Sequence, residues 1–94
     1  MTFSEGDAVG IRCTIQAGPF PDEKLITVET RDGAMSGFVK ASNLVSEDEE
    51  HSAVMGTVIA VSDDYITVKI AGSFFTTALG MAFVRGNKLT RLAA

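Results

Sequence analysis

The chain has 94 residues, 46% of them hydrophobic and 21% charged, which suits one compact domain or two very small ones and excludes a disordered composition. No apolar run approaches the ~20 residues that cross a bilayer as a helix, and the opening MTFSEGD lacks the basic and apolar regions of a secretory signal, so a soluble cytoplasmic protein without a membrane partner is expected. A net charge of −4 and a pI near 4.7 argue against nucleic acid as the main partner, because that affinity rests on Lys and Arg neutralising phosphates.

Residues 1–7 form a lead-in, with Phe3 able to pack and Gly6-Asp7 marking a turn. Val9, Ile11, Cys13 and Ile15 then recur at every second position, which predicts a strand over 8–16 with those four inward and Gly10, Arg12, Thr14 and Gln16 outward. Cys13 therefore reads as a small buried hydrophobe. A reactive thiol would need a cation beside it, and Arg12 points to the opposite face. A lone cysteine also fits a reducing compartment.

The stretch AGPFPDE, 17–23, cannot pair regularly, because Gly18 and two prolines hold it as a stiff, turn-rich loop. Phe20, held between Pro19 and Pro21, either tucks over one end of the fold or stands out as a contact point. KLITVETR, 24–31, reads as a second strand, Asp32-Gly33 as a tight hairpin turn, and 35–40 as the strand that pairs back. ASNL, 41–44, breaks the alternation with small polar residues and predicts a single 3₁₀ turn with Leu44 entering the core.

SEDEEHS, 46–52, concentrates Glu47, Asp48, Glu49 and Glu50 with nothing to bury, the pattern of an acidic linker. Adjacent acids lack the spaced ligands and turn glycine of a calcium loop, so no metal is expected there. Two β-branched runs, 57–61 and 65–71, flank Ser62-Asp63-Asp64 and predict an antiparallel hairpin with Ile66, Val68 and Ile70 on one face and Tyr65, Thr67 and Lys69 on the other. In GSFFTTALG, 72–80, Phe74 and Phe75 are consecutive and cannot both face inward from an extended chain. A short strand through Met81 and Phe83, a Gly86-Asn87 turn and a tail able to pack Leu89 and Leu92 complete the chain.

The two halves repeat one another. ITVETRDG, 26–33, resembles ITVKIAG, 66–72, and FVKASNL, 38–44, matches FVRGNKL, 83–89, with Phe-Val-basic and the closing Leu at identical spacing. The expected division is a unit over 1–45, the acidic linker 46–52 and a second unit over 53–94, with one compact domain over 1–94 as the alternative. GFVKASNL resembles the strand-to-3₁₀ segment of SH3-like barrels, and GTVIAVSDDYITVKIAG is similar to the leading hairpin of small barrels of that type. The resemblance implies an all-β fold of SH3-like small barrels, two pseudo-repeated units of antiparallel strands with short 3₁₀ turns. Of the acidic and aromatic leading loop of eukaryotic SH3 domains, only Phe20, Asp22 and Glu23 stand in a comparable place.

No Cys-x-x-Cys, His-Glu-x-x-His, Gly-x-Ser-x-Gly or phosphate-cradling glycine loop occurs, and the single histidine, His51, has no nucleophile near it in sequence. Neither catalysis nor a cofactor is expected. The remaining signal is apolar surface on loops. Phe20, Pro21, Asp22 and Glu23 in the first half, with Phe74, Phe75, Thr76 and Thr77 in the second, are the candidate contacts of a non-catalytic binding module for protein or peptide, a second copy of the chain included. Two rivals remain: a nucleic-acid-binding barrel using Lys40, Arg85, Lys88 and Arg91, and a small-molecule binder in a cleft between the units.

Overall fold

The computed structural model describes residues 3–46, 52–71 and 81–92. Among these residues nine strands follow in chain order: β1 (Ala8–Arg12), β2 (Thr14–Ala17), β3 (Glu23–Thr30), β4 (Gly33–Lys40), β5 (Leu44–Ser46), β6 (Ala53–Val61), β7 (Ile66–Ile70), β8 (Met81–Val84) and β9 (Leu89–Arg91). Short 3₁₀ turns at Ala41–Asn43 and Gly86–Lys88 precede β5 and β9, each entered from a basic residue in extended conformation, Lys40 or Arg85. All pairings are antiparallel. The larger sheet has the order β8-β7-β6-β1-β9 with β5 also on β6, and the smaller has the order β2-β3-β4.

The expected strand over 8–16 keeps Val9, Ile11 and Cys13 inward but is divided at Cys13, and Gly10, expected outward, is buried, with the Ala53, Leu92 and Val45 side chains 3.5 to 3.7 Å from where its Cβ would stand. The Cys13 N–H donates to the Ser52 carbonyl at 3.0 Å, and there the chain leaves the larger sheet as β1 and enters the smaller one as β2. The fold is consequently two antiparallel sheets and not the closed barrel that the SH3 resemblance implies. A closed barrel needs an uninterrupted ladder around its circumference, whereas β4, last in the smaller sheet, pairs only with β3 among the described residues. One backbone bond links the sheets at the far end, from the Arg31 N–H to the Phe83 carbonyl at 2.8 Å.

The hairpin expected from 57–61 and 65–71 forms as β6 and β7. Both the Ser62 N–H and its Oγ donate to the Tyr65 carbonyl, at 3.0 and 2.8 Å, and close the turn. Val58 pairs with Val68 and Ala60 with Thr67, so Ile59 is a bulge residue, and it and the apolar Val61 face solvent. In the β3–β4 turn Gly33 alone takes positive φ, +105°. Thr30 Oγ1 braces it, donating to the Gly33 carbonyl at 2.7 Å and accepting from the Asp32 N–H at 3.1 Å.

At the centre β1 and β6 pair with each other, and each carries the strand that closes the opposite half of the sequence. β6 bears β5, and β1 bears β9. One row of paired residues crosses all four strands: Leu44 with Val54, Val54 with Ile11, Ile11 with Leu89. Ile11 and Val54 are fully buried and Leu89 nearly so, and they belong to a single hydrophobic cluster with Ile26, Val39, Val68 and Val84. When Phe38 is superposed on Phe83, the registers place Ile26 beside Val68, since Ile26 pairs with Gly37 and Val68 with Ala82. The likeness of ITV at 26–28 to ITV at 66–68 is therefore displaced by two residues from the geometry.

Candidate functional site

The loop between β2 and β3 is shorter than the sequence suggests, because Glu23 already pairs with Lys40 as the first residue of β3. Three backbone bonds fix what remains. Gly18 N–H donates to the Glu23 carbonyl at 3.2 Å, Glu23 N–H to the Phe20 carbonyl at 3.1 Å, and Ala41 N–H to the Asp22 carbonyl at 2.7 Å. The first closes so tightly that a Cβ on Gly18 would lie 2.6 Å from the Glu23 oxygen, so only glycine fits. Held in this way, Phe20 stands outward with 61% of its surface exposed. It does not tuck over the end of the fold.

Pro21 and Asp22 are exposed beside Phe20, and Glu23 is half-buried. Phe74, Phe75, Thr76 and Thr77 lie outside the described residues, as does His51, so only the first-half group of predicted contacts is seen together. On the solvent face of the smaller sheet, at the same end as Phe20, Leu25 pairs directly with Phe38, and Phe38 is 37% exposed. Sequence reasoning missed this apolar pair. The signal was available, because placing Met35 and Val39 inward by alternation forces Phe38 outward. The next row on that face is polar, with Thr27 Oγ1 and Ser36 Oγ in a 2.8 Å hydrogen bond.

Three of the four cations considered for a nucleic-acid face, Arg85, Lys88 and Arg91, are engaged locally. Lys88 Nζ lies 3.6 Å from Glu29 Oε2, and Arg91 Nη2 lies 3.2 Å from Asp7 Oδ2. Arg85 stacks 5.2 Å from the Tyr65 ring centroid, and Lys40 faces Glu23 across the strand pair. The strongest stacking contact belongs to Arg31, whose guanidinium sits 4.1 Å from the centroid of Phe83, at a range where a cation on a ring face contributes about 0.5–1 kcal/mol when exposed.

Two adjoining clefts of about 230 and 200 Å³ lie where the halves meet, sharing Arg12, Ser52 and Lys88 as lining. Cys13 also lines the smaller one, but its thiol is buried, and burial raises its pKa from 9.0 to about 11. At pH 8 the native thiolate fraction is then about a hundredfold below that of an unfolded thiol. A thiol-specific disulfide reagent is expected to label Cys13 slowly in the native protein and rapidly in urea, and equal rates would contradict the buried placement. Because the fold accepts the thiol and not the thiolate, stability is unaffected below about pH 9 and falls as pH rises towards about 11.

The fold and this surface define a small all-β protein of two antiparallel sheets with, among the described residues, an exposed aromatic loop held by three backbone bonds. Set against protein-family models, curated proteins and solved structures, the chain gives no match. No helix among the described residues is long and apolar enough to cross a membrane, and no three metal-ligating side chains come together among them.

Proposed function

We propose that the protein is a non-catalytic, cytoplasmic protein-binding module whose contact surface is the Phe20 end of the smaller sheet, with Pro21, Asp22 and Glu23 at its rim and the Leu25–Phe38 pair beside it. The exposure of Phe20 in a loop fixed by three backbone bonds carries this reading. Leaving a phenylalanine in water forgoes roughly 1.5 to 3 kcal/mol of burial, which a partner recovers. A loop already held in place loses little further freedom on contact.

On the same reading the architecture derives from two SH3-like units, 1–45 and 53–94, that exchange their closing strands across the β1–β6 pair. The reciprocal pairings β5–β6 and β9–β1 support it. Phe74, Phe75, Thr76 and Thr77 are the second unit's candidate contacts.

A photo-crosslinking amino acid at position 20, introduced in the cell that makes the protein, is expected to yield a discrete protein adduct that the same group at position 63, in the exposed β6–β7 turn, does not. Identical adduct patterns from the two positions would overturn the reading.

A further inference from the structure

Among the described residues the end strand of the smaller sheet is open, and it matches itself. β4 is eight residues long, contains no proline, carries one charge at Lys40, and pairs only with β3 among the described residues. Such an edge offers a row of backbone donors and acceptors to another strand. A twofold axis perpendicular to the sheet keeps outer face with outer face, so two copies of β4 can meet antiparallel only in registers that preserve the alternation.

One of these registers, centred on Ser36, is complementary at every pair. On the outer face it sets Phe38 against Ala34 of the second copy and Lys40 against its Asp32. On the inner face it sets Met35 against Gly37 and Val39 against Gly33. Each bulky side chain meets a small one, and each cation meets a carboxylate. Moving the centre to Gly37 loses this, since Lys40 then meets Ala34, and Met35 meets Val39. Within its own chain Lys40 already faces Glu23, so the pairing makes it the middle of an acid–base–acid row. Among the described residues the Asp32 carboxylate is met by its exposed neighbour Arg31, at 3.5 Å, a contact that competes little.

We propose that two copies of this chain pair edge to edge through β4, in the register centred on Ser36, forming one continuous six-stranded sheet from the two smaller ones. The proposal rests on the interaction-module reading and names a second copy as one partner. Phe20, in the loop between β2 and β3, is left available to another.

Three measurements test it. Sedimentation across micromolar to millimolar concentrations should show a monomer–dimer equilibrium. Asp32→Lys and Lys40→Asp should each weaken it about tenfold, since each exchanges two cross-strand attractions for two repulsions, and the double variant should restore it. In a Cys13→Ser background, Ser36→Cys should give a disulfide-linked dimer on oxidation, because paired residues at a dyad fall within disulfide reach. Thr57→Cys, on the larger sheet, should not.

A protein monomeric at millimolar concentration, charge variants that associate like the wild type, or equal crosslinking at positions 36 and 57 would each overturn the pairing. Adducts from position 20 that persist in Asp32→Lys would show the Phe20 surface acting without it, and a dimer with no position-20 adduct would show the converse.

Discussion

Replacing Ile11 by alanine is expected to lower the unfolding free energy by about 2 to 5 kcal/mol, the range for a buried isoleucine truncated where the surroundings cannot collapse. Ile11 is fully buried and pairs with Val54 on one side and Leu89 on the other. It thereby joins the first strand of each half to the closing strand of the second. A small domain has roughly 5 to 15 kcal/mol in total, so the loss is a large fraction of it. Urea denaturation should show a lower midpoint with an unchanged slope. Ile15→Ala is the internal comparison: Ile15 is only partly buried against the same cluster and should cost distinctly less. Equal costs would mean that the row through β5, β6, β1 and β9 is not the mechanical centre of the fold.

Ile11 is identifiable from the sequence alone, because a period of two reports which face a residue occupies, and a buried face selects β-branched side chains. The same logic recovers the β6–β7 hairpin and the Asp32-Gly33 turn, where the chain's own neighbours supply the pairing. It cannot find the division at Cys13. The alternation through Val9, Ile11, Cys13 and Ile15 continues unbroken while the hydrogen-bonding neighbour changes from β6 to β3, and periodicity carries no information about the neighbour. The displaced register of the repeat has the same origin. With Phe38 set over Phe83, Ile26 corresponds to Val68 and not Ile66, a shift of two that leaves every inward residue inward, so composition cannot detect it.

The candidate site is legible to a similar depth. Two prolines flanking an aromatic imply a stiff loop, and the loop is indeed fixed, but its closure by Gly18, Glu23 and Asp22 backbone groups depends on where β3 begins and where the 3₁₀ turn at Ala41–Asn43 lies. Leu25 and Phe38 are separated in sequence by a hairpin and become a pair only through its register. A scan for clusters along the chain passes over residues that topology alone brings together.

Gly56 provides the second test, one of packing inside the central pair. A Cβ at this position would lie 2.6 Å from Ile11 Cδ1 and 2.9 Å from the Lys69 carbonyl oxygen, so Gly56→Ala is expected to destabilise by about 1 to 3 kcal/mol. That loss should appear despite the few tenths to 1 kcal/mol that alanine gains by restricting the unfolded chain. The two obstacles differ in kind, since the Cδ1 can be removed by mutation and the carbonyl belongs to β7 and cannot. Ile11→Val deletes that methyl and alone should cost about 0.5 to 1.5 kcal/mol. Combined, the two substitutions should cost less than their sum by at least about 0.5 kcal/mol, a coupling beyond the usual error of additivity for separated sites. The carbonyl contact remains, so the double variant should still be less stable than Ile11→Val. Strict additivity would place the whole penalty on the Lys69 oxygen. Full recovery to the level of Ile11→Val would place it all on the isoleucine methyl, with β7 free to move by the few tenths of an ångström required.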